Sequence, residues 1–97
     1  MNFEELVTAD LRLAALMTLA QDYGYSHNEY VLRGALGMLG HTVSRDRLRT
    51  ELAWLSEQGL IEIDDVAGTM VAKLTGRGKD VADGAVIVPG VKRPEPM

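Results

Sequence analysis

The sequence predicts a mainly α-helical domain that ends in a small β-hairpin. Three observations carry this expectation. Leucines and other apolar residues recur at helical spacing in three successive stretches set off by polar caps and glycines. Leu60-Ile61-Glu62-Ile63-Asp64 alternates with period two, and a turn and a second strand-like run follow it. The chain has 97 residues, 46% apolar and 25% charged, which suits one globular domain.

Taken in order, the first helix is expected from about Thr8 to Gln21. Phe3, Leu6, Leu13, Ala14, Met17 and Ala20 share one side of an ideal helix, and that side is expected to be the buried one. Asp10 points to the same side, so a start near Thr8 would put it in the first turn, where the helix dipole favours a carboxylate. Leu11, Leu16 and Leu19 widen the apolar surface beyond one stripe. Residues 21–25 read as a turn, and Ser26-His27-Asn28-Glu29 as a capping box for a second helix that Gly40 ends. His41-Thr42-Val43 is expected to be a short extended piece. Ser44 caps a third helix, Arg45 to Gln58, with Leu48, Leu52 and Leu55 buried and Gly59 as its stop. The hairpin turn is placed at Asp65-Val66-Ala67-Gly68, with Thr69 to Leu74 as the returning strand. Thr75 caps a short fourth helix, Gly76 to Asp83, that stops at Gly84.

The resulting order is helix, helix, short strand, helix, hairpin, short helix. That is the plan of a winged helix-turn-helix domain over residues 1–84, with an extended, Pro-containing C-terminal tail over 85–97. Three further stretches carry a resemblance: Ser44-Arg45-Asp46, Leu52-Ala53-Trp54-Leu55 with Glu57-Gln58-Gly59-Leu60, and above all Leu74-Thr75-Gly76-Arg77-Gly78-Lys79-Asp80-Val81-Ala82 followed by Val88-Pro89-Gly90-Val91-Lys92-Arg93-Pro94. With these the chain resembles a family of small, regulator-like winged-helix proteins of Mu-like phages and prophages, over about residues 8 to 96. The resemblance implies a phage or prophage origin and a bacterial cytoplasmic setting. It implies no particular activity.

The function expected from the residues is binding of double-stranded DNA, with a role as a transcriptional regulator. Net charge is −4, yet residues 31–59 carry Arg33, Arg45, Arg47 and Arg49 against Asp46, Glu51 and Glu57, so the middle is locally positive. With Leu48 inward, Asp46, Thr50, Ala53 and Glu57 face away and Arg47 and Arg49 lie on the flanks. The N-terminal end of this helix is the end that enters the major groove in a helix-turn-helix. Arg45, Arg47, Arg49 and Thr50 are therefore the expected groove-facing set, and Ser44 a phosphate contact. The acidic tip Asp64-Asp65 speaks against DNA under the wing. It favours the alternative, a winged-helix adaptor that binds a phage or host protein and no DNA. Lys92 and Arg93 offer further phosphate contacts or packing against a partner subunit. A homodimer is expected, with the excess leucines of the first helix and the apolar C-terminal segment as its contact.

No enzyme, cofactor or metal is expected. The chain has no cysteine, which excludes disulfides and thiolate sites and fits a reducing compartment. His27 and His41 lack a metal-ligand pattern, and no glycine-rich phosphate loop follows a strand. Trp54 is expected to pack on the hairpin or another subunit, and Tyr23, Tyr25 and Tyr30 to cover the edge of the core. No apolar run approaches the ~20 residues that cross a bilayer, and the acidic start Met1 to Glu5 is no secretory signal.

Overall fold

Asn2 opens the first helix by accepting a hydrogen bond from the Glu5 amide, so the helix starts well before Thr8. The computed structural model describes residues 1–96. Its elements are α1 (Phe3–Ala20), β1 (Ser26–Asn28), α2 (Glu29–Met38), α3 (Arg45–Glu57), β2 (Ile61–Val66), β3 (Thr69–Leu74) and α4 (Gly76–Ala82). The strands form one antiparallel sheet in the order β1-β3-β2. The architecture is a small α+β fold of four helices and a three-stranded sheet, with more β structure than a lone hairpin.

The third strand comes from residues 26–28. Ser26, His27 and Asn28 pair with Lys73, Ala72 and Val71, so the capping box expected at Ser26 does not form. The turn before it explains why. The Gly24 amide donates to the Asp22 carboxylate, and Tyr25 takes a left-handed φ of 55°, which turns the chain onto the edge of β3. The cap of α2 passes to Asn28, whose side chain accepts from the amides of Tyr30 and Val31. Residues 41–43 are not in a strand. The His41 amide returns to the Leu36 carbonyl at 2.8 Å, and Arg33 Nε donates to the Val43 carbonyl at 2.8 Å. These two bonds fix the connection between α2 and α3.

The rest follows the expected chemistry. Ser44 caps α3 by accepting from the Arg47 amide, and Thr75 caps α4 by accepting from Gly78. The β2–β3 turn is tighter than expected. Ala67 and Gly68 are both left-handed, with φ of 52° and 85°, as a two-residue hairpin of the primed type requires.

The core lies between α1, α2, α3, the inner face of the sheet and α4. Leu11, Leu16 and Leu19 of α1 are fully buried in it, together with the leucines of α2 and α3. Each such leucine contributes roughly 1.5–3 kcal/mol. The buried face of α1 is therefore the side expected to carry surplus leucines. Phe3, Leu6 and Met17, expected to be inside, are exposed, whereas Leu13 of the same set is buried and Ala14 and Ala20 pack against the core. Asp10 lies on that outer side, so it needs no first-turn position. The tyrosines do not cover the core: Tyr23, Tyr25 and Tyr30 are all exposed.

Residues 85–96 have no regular structure and fold back onto α1. Val88 and Val91 enter the core, the Lys92 amide donates to the Ala9 carbonyl at 3.1 Å, and Arg12 Nη1 donates to the Gly90 carbonyl at 3.0 Å. Trp54 packs here, not on the hairpin. The Arg12 guanidinium lies 3.7 Å from its ring centroid, and a side chain at Gly90 would meet the ring at 2.9 Å. The apolar C-terminal segment is thus largely spent within the chain.

Candidate nucleic-acid interface

The outward face of α3 carries Asp46, Thr50, Ala53 and Glu57, all exposed. The arginines flank it and are divided between its two sides. Arg45 and Arg49 lie toward the hairpin, and Arg47 lies toward α1.

Arg45 and Arg49 converge on one carboxylate. Arg45 Nε donates to Glu29 Oε1 at 2.7 Å. Arg49 donates Nε to Oε1 at 2.8 Å and Nη2 to Oε2 at 2.7 Å, a two-pronged contact. The Met70 amide completes the set on Oε2 at 2.5 Å. Both arginines also donate to the Gly68 carbonyl in the hairpin turn, at 3.1 and 2.8 Å. Glu29 is 1% exposed, whereas the side chains of Arg45 and Arg49 keep 43% and 34% of their surface. Hydrogen bonds from Arg49 and then Arg45 outweigh burial and hold the Glu29 carboxyl far below the usual carboxylate range. The same contacts push both arginines up. Two cations on one anion leave this cluster positive by one charge. It also ties the start of α2, the start of α3 and the hairpin turn into one unit.

Arg47 is held separately. Its Nε donates to the buried Glu51 at 2.8 Å and its Nη2 to Thr8 Oγ1 at 2.8 Å. Arg12 meets the other Glu51 oxygen at 2.8 Å, again two cations on one carboxylate. Ser44 is exposed at the start of α3, and Thr50 Oγ1 donates to the Asp46 carbonyl within the helix. The expected site residues therefore lie in the N-terminal half of α3 but not on one face: Thr50 is on the outward face, and the guanidiniums are anchored at its two opposite borders. At the hairpin, Asp65 accepts from the Gly68 amide and closes the turn.

Sequence reasoning missed Glu29 as the anchor. It was assigned to a local capping box, and its true partners lie 16, 20 and 41 residues away. No local pattern announces such a contact. His41 was likewise read without a partner, and its Nε2 sits 2.6 Å from Asp10 Oδ2. Lys92 reaches the other Asp10 oxygen at 3.4 Å. Burial pushes the Asp10 carboxyl up, but the bonds from His41 and Lys92 outweigh it and hold the group below its usual value. Among the described residues, no group of three His, Asp or Glu side chains is arranged to hold a metal ion, and no helix is long and apolar enough to cross a membrane.

The chain matches no established protein-family profile. It is 44% identical over 92 residues to the uncharacterised protein gp26 of Escherichia phage Mu, covering 95% of each chain. It is 46% identical over 78 residues to an uncharacterised protein of Haemophilus influenzae strain Rd, covering 79% of this chain and 76% of that one. The resemblance to proteins of Mu-like phages thus holds across nearly the whole sequence. The chain belongs to the family of the phage Mu protein gp26.

Proposed function

We propose that the chain is a winged-helix protein that binds double-stranded DNA through α3 and serves as a phage transcriptional regulator. The observation that supports this best is the element order combined with the sheet order β1-β3-β2. In this reading α2 and α3 are the helix-turn-helix and the β2–β3 hairpin is the wing. The N-terminal half of α3 enters the major groove. Thr50 then faces base edges, Ser44 and the first amides of α3 take a phosphate, and Arg45, Arg47 and Arg49 line the phosphate walls on both sides. The carboxylates of Glu29 and Glu51 act here as anchors. They hold the guanidiniums in fixed positions and leave donors free, at the expense of part of the positive field.

The test is fluorescence anisotropy of labelled random-sequence duplex against salt. Affinity is expected to fall steeply with salt, because each phosphate contact contributes a slope of about 0.9. Thr50→Glu places a charge on the outer face without touching a buried contact. It is expected to weaken binding on the order of 10-fold or more by like-charge repulsion, with thermal stability unchanged. Absence of salt-sensitive binding at low salt overturns the reading. A second reading, a winged-helix adaptor for a phage or host protein, is favoured by Asp46 and Glu57 on the outer face of α3 and by Asp64 and Asp65 beside the turn. It predicts no duplex binding at any salt concentration.

A further inference from the structure

Helix α1 has two apolar sides, and the chain covers only one of them. The inner side carries Leu11, Leu16 and Leu19. Opposite it run Phe3, Leu6, Asp10, Ala14 and Met17, spaced three and four residues apart as in a helix-pairing seam, with Leu13 buried at its edge. Phe3 is 77% exposed, Leu6 47% and Met17 42%, and Leu39 beside them is 59% exposed. Exposed apolar side chains in a continuous row mark an interaction surface.

We infer that this outer face of α1 pairs antiparallel with α1 of a second copy of the chain, about a two-fold axis at Asp10. The stripe is self-complementary in three respects. First, its residues are arranged symmetrically about Asp10, so antiparallel pairing sets Phe3 against Met17 of the second copy and Leu6 against Ala14, a large side chain against a small one. Second, the same stripe holds both a knob and a hole. The knob is Phe3. The hole is a hollow of about 250 Å³ lined by Leu13, Ala14, Met17 and Leu39 among others, and each copy supplies one of each. An isologous dimer requires this kind of reciprocity. Third, the centre is balanced in charge. Asp10 is ion-paired at 3.4 Å with Lys92, which also meets Glu95 at 3.4 Å, and is bonded to His41, so each Asp10 carboxylate at the axis brings its own counter-ion. Antiparallel helices also oppose their dipoles favourably. The leucines expected to form the dimer contact are buried within the chain, and Phe3, Leu6 and Met17 take their place.

This inference does not depend on DNA binding and is tested without it. Sedimentation equilibrium of the full chain is expected to give the mass of two chains. Met17→Glu is expected to raise the dimer dissociation constant roughly 30-fold or more, as loss of a central apolar anchor does. Its thermal melt at high dilution should match that of the unaltered chain, because Met17 is exposed in a single copy. Tyr23→Glu, fully exposed and off the stripe, should leave association unchanged. The register is read by disulfide trapping, made simple by the absence of native cysteine. Phe3 and Met17 of one helix are about 21 Å apart at 1.5 Å per residue, so they cannot bridge within a chain. The double variant Phe3→Cys, Met17→Cys is expected to form a disulfide-linked dimer under mild oxidation, and Phe3→Cys alone is not. A monomeric chain, a dimer indifferent to Met17→Glu, or efficient cross-linking of Phe3→Cys alone overturns the inference.

Discussion

Replacing Glu29 with glutamine tests whether the buried carboxylate is the tie between α2, α3 and the hairpin. The carboxylate accepts four hydrogen bonds, two on each oxygen. Glutamine keeps an acceptor at one of the two positions and sets an NH₂ donor against donors at the other. Two bonds are lost and two arginines lose their counter-ion. Removing one partner of a fully buried pair costs about 3–5 kcal/mol. Arg45 and Arg49 are 43% and 34% exposed and can turn toward water, which lowers the expected loss to about 2–4 kcal/mol. At about 4–8 °C per kcal/mol for a domain of this size, the midpoint of thermal unfolding should fall by about 8 °C or more at pH 7. The pH dependence adds a signature. The folded-state pKa of Glu29 lies below its ordinary value of 4.5, so its stabilisation is complete above that pH and is lost as the pH drops below it toward the folded value. Each pH unit in that window removes about 1.4 kcal/mol from the unaltered chain and nothing from the variant. Circular-dichroism melts of both chains from pH 7 to pH 3 should therefore converge as the pH falls. A variant within about 1 kcal/mol of the unaltered chain at pH 7 would refute the tie, since such a change is no more than an average substitution produces. So would a gap that stays constant with pH.

Three other substitutions probe the packing. A Cβ at Gly78 would overlap the Leu60 carbonyl oxygen and stand 2.7 Å from Leu74 Cδ1. Gly78→Ala should thus cost about 3 kcal/mol or more by denaturant unfolding, at the upper end of overpacking effects. Gly90→Ala combines a left-handed φ of 96° with a clash against Trp54. It should cost about 2 kcal/mol and loosen residues 85–96, read as faster amide exchange at Lys92. Ala67→Asn should stabilise the chain by about 0.5–1 kcal/mol, because Ala67 holds a left-handed turn position that Asn-Gly fills better.

Most of the fold was legible where local chemistry decides it. The caps at Ser44 and Thr75, the glycine stops and the pairing of the hairpin strands follow from neighbours within a few residues. Errors arose where distant contacts overrule local ones. Ser26 to Asn28 read as a helix cap, but three hydrogen-bonding residues on the open edge of β3 draw them into the sheet. α1 offered apolar residues on both sides, and periodicity alone does not tell which side the other elements cover. The candidate site was legible as a set of residues on one helix. Their arrangement was not, because apart from the Arg47–Glu51 pair within α3 the partners of Arg45, Arg47 and Arg49 come from α1, α2 and the hairpin turn.

In the proposed function the outer N-terminal half of α3 is the surface that reads DNA. Nuclear magnetic resonance titration of the isotope-labelled chain with duplex tests it residue by residue. Shifts are expected to concentrate at Ser44 to Thr50 and at the hairpin turn around Gly68, with the outer side of α1 unaffected. Shifts confined to α1 or spread without focus, or none at low salt, would contradict it.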